Sequence, residues 1–148
     1  MSDLYHNRVL ELAASIPNVG TLENAHGSAE KVSRICGSTV QVDVRLSDDG
    51  KTIEAIAVNP KACALGQAST AILSENAIGA SVQEITDAHE ALRAMLKEGA
   101  EPPEGRFWEL RHLAGVADYP QRHTSTLLAF SAAVAAIGAA LEAHQAST

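Results

Sequence analysis

The sequence is poor in aromatic residues and carries no block of basic ones. Only five of its 148 residues are Phe, Tyr or Trp, which is too few for a platform on which nucleic-acid bases stack. Eleven Lys and Arg stand against 18 Asp and Glu, so the net charge is −7. We expect binding neither to nucleic acid nor to an anionic membrane surface, because both need clustered positive charge.

Long hydrophobic runs are also missing. Residues 1–7 contain neither a basic region nor an apolar one, so no secretory signal is visible. The most apolar stretch, Leu127–Leu141, has 15 residues, and a membrane span needs roughly 20. The sequence therefore predicts a soluble cytoplasmic protein, and its length favours a single domain over residues 1–148.

Cysteine is rare as well, with only Cys36 and Cys63 in the whole chain. In a reducing compartment two such residues are expected to be free thiols or metal ligands rather than a disulfide. They do not form a Cys-x-x-Cys pair, so their spacing alone does not indicate a metal.

The first half of the chain predicts a helix followed by strands. Apolar residues at helical spacing favour a helix over 4–16, and the polar stretch up to about Gly27 has room for a short strand. Strict alternation predicts a half-buried strand over Thr39–Leu46. The turn 47–50 then leads into a second strand, Lys51–Val58, which Asn59-Pro60 should end.

The second half predicts helices throughout. The first predicted helix covers 62–76 and is capped by Gly79, and the capping box Ser81–Glu84 opens a short second one. A third has an apolar stripe from Ala88 to Leu96 and ends at Gly99. A short helix over 105–113 and a last helix from near Thr124 follow. Strands in one run and helices in another indicate an α+β fold, with a small antiparallel sheet of about three strands and helices packed on one face.

This topology brings the two cysteines together. Cys36 precedes the first long strand and Cys63 follows the second. Because those strands pair as a hairpin, both cysteines should lie at the same end of the sheet. Cys63 would sit in the first turn of its helix, where free N–H groups and the helix dipole favour a thiolate. Packing, metal ligation and sulfur acceptance all remain open at this point.

Several short motifs follow one another in an order that resembles the iron–sulfur cluster assembly scaffolds of the IscU, SufU and NifU N-terminal type. The matching pieces are Leu4-Tyr5, Val9-Leu10, Pro17–Gly20, Ile35–Gly37, the hairpin with Cys63, Leu113–Val116, Tyr119–Arg122 and Leu128-Ala129. A lengthened stretch before the last helix, 105–119, is more similar to SufU than to IscU.

The resemblance implies a scaffold or carrier rather than an enzyme. Such a protein accepts sulfur from a cysteine desulfurase, carries iron or a nascent [2Fe–2S] cluster, and serves recipient iron–sulfur proteins; some members hold zinc. The family's ligands are three cysteines and an aspartate, and carried over by position the first two cysteines are Cys36 and Cys63.

The remaining ligand positions depart from the family pattern. The aspartate position holds Ser38 and the third cysteine position falls on Ser125, while His123 is displaced by one residue from the place where IscU members have a histidine. A hydroxyl is a poor substitute for a thiolate or carboxylate. One chain thus offers two thiolates where a cluster usually wants four, and a symmetric homodimer would supply all four.

Three functions are compatible with this ligand set. The first is a scaffold that binds iron or a [2Fe–2S] cluster through Cys36 and Cys63, with His123, Ser38 and Ser125 as further candidate ligands. The second is a zinc-bound or thiol-only acceptor of sulfur on Cys36 or Cys63. The third is an interaction protein of the same fold that has given up its metal.

Overall fold

The computed structural model describes residues 6–35 and 37–146. In chain order its elements are α1 (Asn7–Ala14), β1 (Gly27–Ser33), β2 (Ser38–Leu46), β3 (Ile53–Lys61), α2 (Ala64–Ala77), α3 (Val82–Glu98), a 3₁₀ segment (Gly105–Asp118), a 3₁₀ turn (Pro120–Arg122) and α4 (His123–Ala146). The strands form one antiparallel sheet in the order β1-β2-β3. The α+β prediction is confirmed.

The central strand β2 shows why the alternating pattern predicted it well. Val40, Val42 and Val44 are wholly buried beneath the helices, because α4 packs across β1 and β2. The opposite face is partly covered by the chain before β1. There Asp43, only 4% exposed, accepts a hydrogen bond from the backbone N–H of Leu22 at 3.1 Å.

The first strand lies later than expected. The polar stretch before Gly27 contains no strand, and β1 instead runs from Gly27 to Ser33. Most of its side chains are at least partly exposed, so the sequence lacks the apolar alternation that marks a half-buried strand. Backbone pairing with β2 holds this edge strand in place.

The third strand continues past the residues predicted to end it. Asn59 and Pro60 lie within β3, and Pro60 is opposite Val40 in the register with β2. A proline is tolerated because β3 is an edge strand, whose outward-facing N–H positions need no partner within the sheet.

A single helix replaces the two predicted between Ser81 and Gly99. The capping box is present: the Ser81 hydroxyl accepts from Glu84 N–H, and the Glu84 carboxylate accepts from Ser81 N–H, both at 2.9 Å. It opens α3, which then runs without a break to its left-handed cap at Gly99 (φ 71°). Nothing between the two predicted helices breaks the backbone ladder, so they are one.

Two predicted helices have other limits in the structure. Within the described residues α1 covers Asn7–Ala14, shorter than 4–16, and residues 4 and 5 lie outside them. The predicted short helix over 105–113 is a 3₁₀ segment that extends to Asp118.

The last helix is longer than the apolar stretch that announced it. The 24-residue segment Pro120–Ala143 has the length and hydropathy of a membrane span, and 61% of its most apolar window is buried within the domain. The helix is therefore long and apolar enough to span a membrane, contrary to the prediction from the 15-residue stretch Leu127–Leu141. A helix that is apolar on all sides and covered by a sheet and other helices is a core helix.

Candidate functional site

One end of the sheet gathers the candidate residues that follow β3 and begin β2. Thr39 is opposite Lys61 in the β2–β3 register. Ser38 precedes Thr39, and Cys63 comes two residues after Lys61, so both stand at the same end of the sheet. We call this end the rim, defined by Ser38, Cys63 and Ser125. Cys36 lies outside the described residues, and its place at the rim stays a prediction.

Cys63 is the N-cap residue of α2. Its backbone is extended (φ −67°, ψ 172°), its side chain makes no capping hydrogen bond, and its carbonyl accepts the helix bond from Gln67 N–H at 2.9 Å. The first amides of a helix lack intrahelical acceptors and lie at the positive end of its dipole. The half-buried thiol of Cys63 therefore stands at the N-terminus of α2.

Ser125 is the described side chain that contacts the sulfur. Its Oγ lies 3.8 Å from Cys63 Sγ and the residue is wholly buried. The Ser125 hydroxyl donates to the carbonyl of Arg122 at 3.2 Å. Thr126 donates to the same carbonyl at 2.8 Å, so that oxygen keeps a partner if the Ser125 hydroxyl turns away.

A glycine that the sequence did not single out sets the distance between these helices. A Cβ on Gly66 would lie 2.8 Å from the Cβ of Ala62 and 3.1 Å from the carbonyl oxygen of Ser125. The bare backbone therefore allows the start of α4 to approach the start of α2. A glycine inside a strongly helical stretch was the available signal, since it costs about 1 kcal/mol relative to alanine and calls for a packing reason.

His123 is buried and held by the 3₁₀ segment. Its Nε2 lies 3.1 Å from the carbonyl oxygens of both Val116 and Ala117. Carbonyl oxygens only accept, so Nε2 carries the proton and the imidazole donates to both. Metal ligation through that nitrogen would require these bonds to break, which leaves Nδ1 as the nitrogen with a lone pair.

The described residues do not complete a zinc site. In residues 6–35 and 37–146 no group of three or more His, Cys, Asp or Glu side chains lies close enough together to hold a metal ion. A structural zinc takes four such ligands, and the whole chain has two cysteines. The described part of the rim, with Cys63 as its one thiol, therefore has too few ligands for a zinc ion.

A groove of the described chain lies away from the rim. It has a volume of about 250 Å³ and runs between α3 and the start of the 3₁₀ segment, where Ala88, Pro103 and Phe107 line it together with charged side chains. None of the candidate ligands belongs to its lining.

Comparison with known sequences identifies a family and a curated relative. The family described as the NifU-like N terminal domain matches residues 4–126, a range that includes both cysteines, Ser38, His123 and Ser125. The iron–sulfur cluster assembly scaffold protein IscU of Streptococcus pyogenes serotype M1 is 29% identical over 118 residues, which cover 76% of this chain and 73% of the relative.

Two solved structures share the architecture. A NifU-like protein (N-terminal) from Brucella abortus superposes with a TM-score of 0.91 at 41% identity, covering 95% of this chain and 96% of the other. A putative iron–sulfur cluster assembly scaffold protein for the SUF system, from Fervidobacterium islandicum AW-1, has a TM-score of 0.82 at 25% identity and covers 90% and 96%.

Proposed function

Since the chain belongs to the NifU-like N-terminal domain family, we propose that it is a scaffold or carrier for iron–sulfur cluster assembly, with Cys36 and Cys63 as the protein's thiolate ligands. The resemblance to IscU, SufU and NifU scaffolds that the sequence motifs indicated is confirmed. The family consists of scaffold proteins rather than enzymes in the usual sense. The observation that carries the residue assignment is the thiol of Cys63 at the N-terminus of α2, beside the buried Ser125.

Sulfur arrives on a cysteine in this proposal. A cysteine thiolate of the chain attacks the terminal sulfur of the persulfide on a cysteine desulfurase. A new S–S bond forms on the chain, and the desulfurase cysteine leaves as a thiolate. Cys63 is placed for this attack because its thiol is only half buried, at the N-terminus of α2. This takes place in the cytoplasm and delivers the product to recipient iron–sulfur proteins.

The cluster is shared between two copies of the chain. An iron–sulfur cluster usually takes four thiolates, and each chain contributes at most Cys36 and Cys63. A symmetric pair brings four thiolates to one [2Fe–2S] cargo. The hydroxyls of Ser38 and Ser125 are weaker donors to iron, so we assign them no bond to it.

Anaerobic reconstitution tests this function. The full chain is supplied with iron and sulfide, and the visible absorption of the product is read on a sizing column. We expect sulfide-to-iron charge-transfer absorption in the fraction that elutes as a dimer. If no fraction absorbs, the scaffold function is contradicted, and the chain would instead act as a sulfur acceptor on a thiol. A sulfur acceptor should gain the mass of one sulfur after incubation with a desulfurase and cysteine.

Ser125→Cys should increase the metal that one chain retains. Two sulfur ligands of a tetrahedral ion with metal–sulfur bonds of about 2.3 Å are about 3.8 Å apart, which is the distance between Cys63 Sγ and Ser125 Oγ. A sulfur at position 125 is therefore placed to share an ion with Cys63. Because Thr126 still donates to the Arg122 carbonyl, the fold should tolerate the change.

Thr126→Cys is the matched control for this gain. It adds one thiol to the next buried residue of α4, and Thr126 makes its side-chain hydrogen bond to the Arg122 carbonyl rather than to Cys63. Iron or zinc per chain is measured after desalting. Equal retention by the two variants would show that position 125 has no special place in the site.

A further inference from the structure

Four polar side chains fasten α1 to the 3₁₀ segment. Arg8 donates from Nε and Nη2 to the two carboxylate oxygens of Glu109, at 2.7 and 3.0 Å. His6 Nε2 lies 3.1 Å from the carbonyl oxygen of His112, and since that oxygen only accepts, the imidazole donates. We call His6, Arg8, Glu109 and His112 the α1 latch. None of them belongs to the rim.

Charged groups of both signs surround the two imidazoles of the latch. The rings of His6 and His112 meet edge to face with centroids 5.5 Å apart, and Glu109, only 9% exposed, is the carboxylate between α1 and the 3₁₀ segment. His112 Nε2 lies 3.6 Å from Glu109 Oε1. Burial is the largest cause that lowers the pKa of His112. Glu109 opposes this shift, while His6, Arg8 and Arg111 add to it.

The other carboxylates nearby pair with arginines and not with the two histidines. Glu11, on α1, lies 3.5 Å from Arg8, and Glu75, on α2, lies 4.0 Å from it. From α3, Glu84 reaches the 3₁₀ segment at Arg106, 3.6 Å away. The Glu109 carboxylate therefore has two partners, His112 and the bidentate Arg8.

We propose that the α1 latch is a proton-sensitive fastening that holds α1 on the 3₁₀ segment while the His112 imidazole is neutral and loosens when His112 is protonated. Protonation leaves the His6 donor bond in place. It sets an imidazolium at position 112 against the edge of the His6 ring, beside Arg8 and Arg111. It also makes His112 a competitor of Arg8 for the Glu109 carboxylate. This device goes beyond the proposed scaffold function and does not depend on it.

The sign follows from the direction of the His112 shift. Its pKa lies below the usual value of 6.5 when α1 is docked, so the undocked state binds more protons. The contribution of His112 to docking is then complete above about pH 6.5 and is lost as the pH falls through the lowered pKa.

Loosening should be local. Val9 and Leu12 are the two buried side chains of α1, and a helix of eight residues with so few buried apolar side chains opens at a lower free energy than the core strands. Since α1 packs along α2, which begins after Cys63, release would uncover the flank of that helix and leave the sheet intact.

The molecule carries its own probe of the latch. Trp108 is the single tryptophan of the chain, and its ring meets that of His112 edge to face with centroids 5.8 Å apart. A protonated imidazole quenches indole fluorescence and a neutral one does so far less. Trp108 emission therefore follows the protonation of His112 directly.

Hydrogen exchange of the full chain at about pH 7.5 and about pH 5.5 tests the proposal, with rates corrected for the intrinsic effect of pH. We expect the protection of the α1 amides to fall at least about threefold at the lower pH, while that of the β2 amides stays within about twofold. Trp108 emission should fall across the same range. In His112→Gln both changes should disappear, and in His6→Gln the loss of protection should be smaller than in the parent chain.

His89→Gln is the matched control, because His89 is a half-buried histidine of α3 whose pKa is lowered chiefly by burial and which bonds Ser131 instead of α1. It should keep both changes. The proposal is overturned if α1 protection is the same at the two pH values, if it falls equally in His112→Gln, or if β2 protection falls with it. Neither hydrogen exchange nor Trp108 emission depends on cluster binding, so these tests do not depend on the scaffold function.

Discussion

Replacing Cys63 with serine should abolish the uptake of iron and sulfide by this chain. In a cluster shared by two copies the change removes two of four thiolates, and a hydroxyl does not replace a thiolate on iron, so we expect charge-transfer absorption per chain to fall at least about tenfold. Absorption after anaerobic reconstitution and desalting measures the effect.

The same substitution should leave the fold intact. Cys63 occupies the N-cap of α2 without a side-chain capping bond, and serine is among the preferred N-cap residues, worth about 1 kcal/mol over a residue that cannot cap. The melting temperature should therefore stay equal or rise. A loss of absorption in a variant of undiminished stability isolates the thiol as the cause.

Ser125→Ala is the matched control for Cys63→Ser. It removes the hydroxyl 3.8 Å from the sulfur and leaves the Arg122 carbonyl with its bond from Thr126. If the thiolates carry the cargo, this variant should retain most of the absorption. Equal losses in the two variants would mean that the hydroxyl is a ligand, and full absorption in Cys63→Ser would remove Cys63 from the site.

Gly27→Ala should strongly destabilise the domain. A Cβ on Gly27 would stand 2.2 Å from the carbonyl oxygen of Ala136 and 2.5 Å from the backbone nitrogen of Ala140. Both neighbours are backbone atoms of α4, which cannot turn aside as a side chain can. β1 and α4 must separate to make room, and we expect a loss of about 3 kcal/mol in the free energy of unfolding, near the upper end for overpacking.

Gly138→Ala, in the helix α4 that Gly27 contacts, should change the free energy of unfolding in the opposite direction. A Cβ there would meet no atom within 4 Å, and alanine in place of glycine inside a helix stabilises by about 0.5–1 kcal/mol. Denaturant unfolding of both variants gives the two values. A loss below about 1 kcal/mol for Gly27→Ala would show that the contact between β1 and α4 adjusts easily.

The elements that sequence patterns predicted well are those whose burial follows the chain's own period. The valines of β2 lie under the helices as their alternation requires, and the capping box at Ser81 starts α3 where it was expected. β1 was missed because it is held by backbone bonds to β2, which carry no signal in the side chains. Pro60 misled because its place depends on β3 being an edge strand.

The site divides in the same way. The family motifs assign Cys36, Cys63 and position 125 in order along the chain, yet they give no distances between them. Ser125 is 62 positions from Cys63, and its contact with the sulfur depends on Gly66 bringing α2 and α4 together. His123 is buried and bonds the end of the 3₁₀ segment, a partner that no local pattern reveals.

The amino-acid sequence by itself determined the class of fold, the absence of basic and aromatic clusters, and the upper limit of two thiolates in each chain. These follow from composition and from spacings within one element. Only the tertiary structure decided which hydroxyl contacts Cys63, which nitrogen of His123 is engaged, and that α1 is fastened by two histidines about a hundred positions apart. Such contacts join distant segments, and their geometry is set by how closely backbones pack, which no periodicity within a segment encodes.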